Sequence, residues 1–118
     1  MTELARIEVG NAGPMCLVRV HGEIDISNAA ELRAAIEGAL SNGSSGLILD
    51  LSPTRYLDSA AIELLFRLAA RLAARRLEMR LVVPAASPIR AVLELSGLPR
   101  AVRLDERAGE PSASEPAS

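Results

Sequence analysis

The stretch Gly46-Leu47-Ile48-Leu49-Asp50-Leu51 is an almost continuous apolar run, followed by Ser52-Pro53-Thr54-Arg55-Tyr56-Leu57 and then by Asp58-Ser59. Such a run predicts a central strand that is flanked on both sides by other strands. Residues 52–57 are predicted to form a turn. From about residue 59 to 76 apolar residues recur at helical spacing, which predicts an amphipathic helix. The Asp58-Ser59 pair then places a hydroxyl group at the positive end of a helix.

Two strands and a helix are predicted before this central strand. Residues 6–9 and 15–21 are typical of a hairpin, joined by turn-forming residues 10–14. Ser27 or Asn28 can cap the helix that follows. Its apolar stripe consists of Ala29, Leu32, Ile36 and Leu40. The glycines and serines of residues 42–46 are predicted to end this helix.

Three further elements are predicted after the second helix. Residues 79–83 form a strand, and a third helix runs from Ser87-Pro88 to the glycine signal at Gly97. Residues 101–104 form a last short strand. The order is then β-β-α-β-α-β-α-β, in which helices between strands favour parallel pairing after an initial hairpin. The predicted fold class is α/β with helices packed on a mixed β-sheet.

A chain of 118 residues has room for one domain, which we assign to residues 1–105. Residues 106–118 are rich in Glu, Ala, Gly, Pro and Ser, and they hold too little apolar surface to offset the entropy of ordering. We predict that this tail is disordered. Its three glutamates against one arginine account for the net charge of −2, so residues 1–105 are neutral overall.

Charge and composition exclude several partners. A neutral domain with one Phe, one Tyr and no Trp lacks the basic field and the stacking platforms of a nucleic-acid binder. No apolar run reaches the roughly 18 residues of a membrane helix, so membrane insertion is not expected. The single cysteine allows no internal disulfide, which fits a reducing, cytoplasmic location.

All 13 basic residues are arginines, and Arg67, Arg71 and Arg75 recur at helical spacing. Such a stripe has two interpretations. It is a solvated helix face, which Glu63 supports because it lies four residues before Arg67. Alternatively, it is a site for phosphate or for an acidic partner.

Catalytic and metal chemistry has little support in these residues. A zinc site needs three or four protein ligands, whereas the chain has one Cys, Cys16, and one His, His21. We predict that Cys16 lies in the core and that His21 lies beside Arg19 on the outer face of its strand. No G-x-S-x-G elbow surrounds Ser59, and the chain has neither a P-loop nor a lysine. We therefore expect no enzyme activity, no metal and no cofactor.

Two segments together carry a family resemblance. The first is Val18-Arg19-Val20-His21-Gly22-Glu23-Ile24-Asp25 followed by the helix from Asn28, and the second is Asp58-Ser59 with the helix after it. At this spacing they resemble the STAS domain family, specifically the bacterial anti-sigma factor antagonists. The resemblance covers nearly all of residues 4–105.

In that family a Gly-Glu-x-Asp turn precedes the first helix, and an Asp-Ser-small-Gly motif opens the second. Carried over by position, the resemblance implies a partner-binding surface made of Gly22, Glu23, Asp25, Asp58, Ser59, Ala60 and Ala61. Relatives often have Ser or Thr at position 60 and usually have Gly at position 61. Ser59 is the implied phosphorylation site, and its kinase is an anti-sigma factor. The implied function is an antagonist that binds this serine kinase when unphosphorylated, releases the sigma factor, and is switched off by phosphorylation.

A second function stays open on the same resemblance. Relatives also serve as interaction modules in stress-signalling scaffolds and lipid-transport complexes. In such a module Ser59 would be only a helix cap, with no phosphoswitch. Self-association as a weak homodimer is also left open.

Overall fold

A computed structural model describes residues 5–40 and 43–107, which form a six-stranded sheet with three α-helices. The strands are β1 (Ala5–Ala12), β2 (Met15–Ile24), β3 (Gly46–Asp50), β4 (Thr54–Leu57), β5 (Glu78–Val82) and β6 (Arg103–Asp105). The helices are α1 (Ala29–Leu40), α2 (Ser59–Ala74) and α3 (Arg90–Leu95), with a short 3-10 helix over Leu98–Arg100.

The sheet is mixed, with the strand order β1-β2-β3-β5-β6 and β4 paired to β2. β1 and β2 are antiparallel, while every other pairing among the described residues is parallel. This confirms the predicted α/β class, because helices that link successive strands return the chain for parallel pairing.

The prediction that residues 52–57 form only a turn is wrong. The turn is confined to Ser52 and Pro53, and Thr54–Leu57 is the short strand β4, which adds one strand to the predicted order. Thr54 and Leu57 are buried and the two residues between them are exposed, so the segment packs against the domain at both of its ends. A strand of four residues is stabilised by its pairing with β2, which a local sequence pattern does not reveal.

The predicted boundaries shift at several elements. The hairpin turn is only Gly13-Pro14, with Gly13 at φ 61°, because residues 10–12 continue the β1 ladder. Helix α2 ends at Ala74 rather than at residue 76. Helix α3 starts at Arg90 rather than at Ser87-Pro88, where the chain forms turns, and β6 spans Arg103–Asp105 rather than residues 101–104.

The main core lies between the helices and one face of the sheet. Cys16, Val18 and Val20 of β2 project into it, which confirms the core position predicted for Cys16. Leu32, Ile36 and Leu40 of α1 contribute the predicted helical stripe, and α2 adds Leu65, Leu68 and Leu72. Because side chains alternate along a strand, Met15, Ile48 and Val82 form a smaller cluster on the opposite face.

The face of the sheet opposite the main core carries charged residues. Arg19 lies there, and His21 lies two positions along the same strand with its Nε2 at 3.1 Å from Glu8 Oε1, as predicted for the outer face. No helix in the described parts of the chain is both long and apolar enough to cross a membrane. The predicted disorder of the tail falls mainly on residues 108–118, which lie outside the described residues.

Candidate functional site

Strands β2 and β4 end side by side, and this brings the starts of α1 and α2 together. Gly22 pairs with Thr54, Glu23 with Tyr56, and Ile24 with Leu57. Thr54 is fully buried, and its hydroxyl donates a hydrogen bond of 2.7 Å to the carbonyl of Val20. This bond stabilises the short strand against β2.

Gly22 allows the irregularity that this pairing requires. The register between β2 and β4 shifts between Gly22 and Glu23, and Gly22 has φ 101°, a backbone conformation that residues with a Cβ rarely adopt. Its N–H donates to the carbonyl of Pro53 at 3.1 Å. Gly22 and Glu23 thus shape the sheet end beneath the site.

Asp50 holds the loop that leads into β4. Its carboxylate accepts hydrogen bonds from the N–H and the hydroxyl of Ser52 at 2.9 and 2.6 Å, and from Arg19 Nε at 2.8 Å. Burial of this carboxylate would raise the pKa of Asp50, but these hydrogen bonds outweigh burial and lower it from its ordinary value of 3.8.

Asp58 caps α2 and also bonds to the loop before α1. One carboxylate oxygen accepts a hydrogen bond of 3.0 Å from the N–H of Ala61, in the geometry of a helix N-cap. The other oxygen accepts a hydrogen bond of 3.1 Å from the N–H of Ile26. The N–H of Asp58 itself donates to Ile24 at 3.2 Å. Asp58 therefore connects the two predicted motifs directly.

Ser59 is the first residue of α2 and is exposed. Because Asp58 already provides the cap, the capping role considered for Ser59 belongs to its neighbour. Within the parts of the chain that the structure describes, the Ser59 hydroxyl makes no hydrogen bond. Its oxygen stands at the positive end of a 16-residue helix, where a negative group is stabilised.

Asp25 has the contacts of a turn residue. Its carboxylate accepts hydrogen bonds from the N–H of Ser27 at 2.9 Å and from the Ser27 hydroxyl at 2.5 Å. Asn28 closes the turn, because its side-chain oxygen accepts from the N–H of Asp25 and its side-chain nitrogen donates to the carbonyl of Glu23. A role of Asp25 in phosphate transfer stays a prediction.

The two alanines after Ser59 differ in what a partner could touch. Ala60 is half-buried and lines a surface groove, whereas Ala61 is only 1% exposed and belongs to the main core. The methyl group that distinguishes Ala61 from glycine therefore packs inside the domain rather than against a partner. Ala61 contributes to the site through its N–H, which Asp58 binds.

Two exposed apolar residues beside these positions were not predicted. Ile26 is 80% exposed and its N–H bonds to Asp58, while Tyr56 is 50% exposed on β4 opposite Glu23. Large apolar side chains that stay exposed next to a functional site are typical of protein-binding surfaces. The β-forming residues of Thr54–Leu57 are the sequence signal that favours a strand at Tyr56 over the predicted turn.

The described residues contain no group of three or more His, Cys, Asp or Glu side chains that could hold a metal ion. The site consists instead of an exposed hydroxyl, a capping carboxylate, a turn held by hydrogen bonds and two apolar side chains. The hydroxyl of this arrangement lies at the positive end of α2, where a helix stabilises added negative charge.

Solved structures share this fold. An anti-sigma factor antagonist from Mycobacterium paratuberculosis is 25% identical, with a TM-score of 0.73 over 88% of this chain and 87% of that one. SpoIIAA in its unphosphorylated form is 17% identical, with a TM-score of 0.66 over 88% and 89% of the two chains. The Bacillus cell fate determinant SpoIIAA in its phosphorylated form is 22% identical, with a TM-score of 0.59 over 85% and 89%.

The two SpoIIAA structures have low sequence identity to this chain, so their similarity shows only that the fold is shared. Membership of a sequence family is shown separately, because the STAS domain model matches residues 6–110, nearly the whole chain. The resemblance found in the Gly22-Glu23-Ile24-Asp25 and Asp58-Ser59 segments is thereby confirmed, and the chain belongs to the STAS domain family.

Proposed function

We propose that this protein is an anti-sigma factor antagonist whose unphosphorylated form binds an anti-sigma factor serine kinase in the cytoplasm and so releases the sigma factor. Phosphorylation of Ser59 switches it off. The observation that carries the proposal is the exposed Ser59 hydroxyl at the first position of α2, with Asp58 rather than Ser59 as the cap. The similarity to the mycobacterial antagonist supports the partner class.

A phosphate on Ser59 is compatible with the fold. It adds about −1.5 to −2 charges, and a helix N-terminus stabilises negative charge by about 0.3 to 2 kcal/mol. Ser59 is exposed, so the group needs no space inside the core. The phosphorylated domain is therefore expected to keep its structure.

The same phosphate is expected to oppose partner binding. Asp58 precedes Ser59, and Asp25 lies in the turn that Asp58 contacts through Ile26, so a phosphate adds negative charge to a site that already contains two carboxylates. Covering that charge against a partner that offers no matching cation costs several kcal/mol through desolvation and like-charge repulsion. Ile26 and Tyr56 supply apolar contacts to the unphosphorylated complex.

The test uses the purified full-length chain and purified anti-sigma factor kinases encoded in the same genome. Binding is measured by isothermal titration calorimetry, and phosphate transfer by intact mass after incubation with ATP. We expect one kinase to bind the unmodified chain and to transfer one phosphate. Tight binding without transfer would instead indicate an interaction module without a phosphoswitch. No binding to any of these kinases would contradict the proposal.

A further inference from the structure

A groove runs between α1 and α2 and starts at the helix ends beside Ser59. Its first part, of about 270 Å³, is lined by the alanines at the helix starts, Ala29, Ala30 and Ala60, and further along by Arg33, Glu63, Leu64 and Arg67. Its second part, of about 290 Å³, is lined by Arg33, Leu64, Arg67, Leu68, Ala70 and Arg71. Because Arg33, Leu64 and Arg67 line both parts, the two form one continuous groove.

The groove has an apolar floor and a basic rim. Leu64 and Leu68 are buried residues of the main core, one helical turn apart, and they form the floor. Arg33 on α1 and Arg67 and Arg71 on α2 line the sides and are exposed. The groove is open to solvent along its length rather than enclosed, so its shape suits side chains from another protein surface.

The rim arginines differ in how readily they can bind a partner's carboxylate. Arg67 lies 2.8 Å from Glu63 in an exposed pair, and such pairs contribute only about 0 to 1 kcal/mol, so a partner's carboxylate can replace Glu63 at little cost. Arg71 lies 2.9 Å from Glu37, whose Oε2 is buried, so Arg71 binds a partner's carboxylate while it keeps that pair. Arg33 has no ion-pair partner among residues 5–40 and 43–107.

The groove therefore has a local positive excess in a domain that is neutral overall. Its three arginines exceed by one the two glutamates that pair with them. Guanidinium groups bind carboxylates in a matched two-bond geometry, and a groove between two helices with apolar residues one turn apart fits the apolar face of a third helix. The complementary surface is an amphipathic helix with acidic residues beside its apolar stripe.

We propose that this groove binds an acidic amphipathic helix of the same kinase that contacts Ser59. An apolar side chain of that helix lies over Leu64, and its carboxylates pair with Arg33, Arg67 and Arg71. The inference rests on the proposed function, because the two surfaces are continuous through Ala60 and share one partner. It favours the acidic-partner interpretation for Arg67 and Arg71 but replaces Arg75, which does not line the groove, with Arg33.

Calorimetry with the purified kinase identified through phosphate transfer tests the groove. Arg33→Glu reverses an exposed charge and is expected to raise the Kd at least tenfold, about 1.4 kcal/mol. Arg33→Gln only removes the charge, so its Kd should lie between those of wild type and Arg33→Glu. Arg100→Glu makes the same charge reversal at an exposed residue outside the groove and should leave the Kd within about twofold. Unchanged circular dichroism and melting temperature show that each variant is folded.

Amide shifts of the labelled chain give a second measurement. Addition of the kinase should shift the resonances of Ala30, Leu64 and Leu68 as well as those around Ser59. If Arg33→Glu binds like wild type, or if the shifts end at Ala61 while Ser59→Asp still weakens binding at least tenfold, the groove proposal is wrong and the proposed function stands. If the wild-type chain binds none of the purified anti-sigma factor kinases, both proposals fail.

Discussion

The carboxylate of Asp58 accepts a hydrogen bond from the N–H of Ile26, 32 residues earlier in the chain, while its second oxygen caps α2 through Ala61. One side chain thus links the loop before α1 to the start of α2. Because Ser59 follows Asp58 directly, this bond holds the backbone of Ile26 at the residue before the serine that is proposed to be phosphorylated. The two motifs found in the sequence are one structural unit.

Removal of this link is expected to loosen both segments. Asp58→Ala deletes the acceptor for two N–H groups, and loss of a helix cap costs about 1 to 2 kcal/mol. The free energy of unfolding in urea should fall by this amount, and amide exchange at Ile26 and Ala61 should accelerate. Asp58→Asn separates the two bonds, because its single side-chain oxygen can still cap α2 through Ala61 whereas its amide nitrogen cannot accept from the N–H of Ile26. It should therefore keep most of the unfolding free energy while amide exchange at Ile26 accelerates. Unchanged exchange at Ile26 in Asp58→Ala would show that the link does not order the loop.

Ser59 is expected to be the single phosphorylation site. Ser59→Ala should abolish the added phosphate in intact-mass spectra, while Ser27→Ala, an exposed serine of the neighbouring turn, should retain it. Ser59→Asp should weaken kinase binding at least tenfold, about 1.4 kcal/mol, with unchanged circular dichroism. Phosphate found on Ser27 or Ser52 in the wild-type protein would show that the assignment is wrong.

Ile26 and Tyr56 are expected to contribute to kinase binding without contributing to stability. Both are exposed, so Ile26→Ala and Tyr56→Ala should leave the melting temperature nearly unchanged. Each should weaken binding by more than about 1 kcal/mol, as is typical of apolar anchors at a protein interface. Leu95→Ala is the control, because Leu95 is more exposed than either residue but lies on α3. If Ile26→Ala and Tyr56→Ala bind the kinase as tightly as Leu95→Ala and wild type do, this anchoring role is excluded.

Two alternative roles for Asp25 make different predictions. If it acts in phosphate transfer, Asp25→Asn should slow transfer at least tenfold in a single-turnover assay, with stability nearly unchanged. If it is only a turn residue, loss of its charge weakens its bonds to Ser27, so the transfer rate stays normal or falls together with stability. The comparison of transfer rate with urea unfolding of the same variant decides between them.

Asp50 makes the stability of the domain depend on pH in a defined direction. Since folding lowers its pKa, its contribution is complete above the ordinary value of 3.8 and is lost as the pH falls through the lower folded-state pKa. Asp50→Asn should reduce the free energy of unfolding by about 1 to 2 kcal/mol at pH 7, toward the low end because Arg19 is partly exposed.

The pH series needs a matched control. Glu106→Gln removes an exposed carboxylate beyond β6 and should leave the unfolding free energy unchanged at pH 7. The gap between wild type and Asp50→Asn should narrow as the pH falls below 3.8, because the carboxylate is then protonated in the unfolded chain and, at the lower folded-state pKa, in the folded domain as well. A gap that stays constant between pH 7 and pH 3 would show that Asp50 acts through packing alone.

Several elements could be predicted because their signals are local. The apolar run of β3 and the Leu32, Ile36 and Leu40 stripe of α1 report burial directly, since side-chain spacing follows the geometry of each element. The prediction of a turn over residues 52–57 was wrong because the contacts that form β4 are not local. β4 is stabilised by pairing with β2 and by the buried Thr54 hydroxyl, and neither contact is encoded within four residues.

The sequence by itself determined the α/β class, the core stripes, the family motifs and the serine at the start of α2, because these depend on residue spacing along one element. The tertiary structure alone decided which side chain caps α2, where the Ala61 methyl packs, and that Ile26 and Tyr56 lie exposed. It also brought Arg33 opposite Arg67. Such relationships join residues from different elements, so they arise only when the sheet aligns the ends of β2 and β4 and sets two helices side by side.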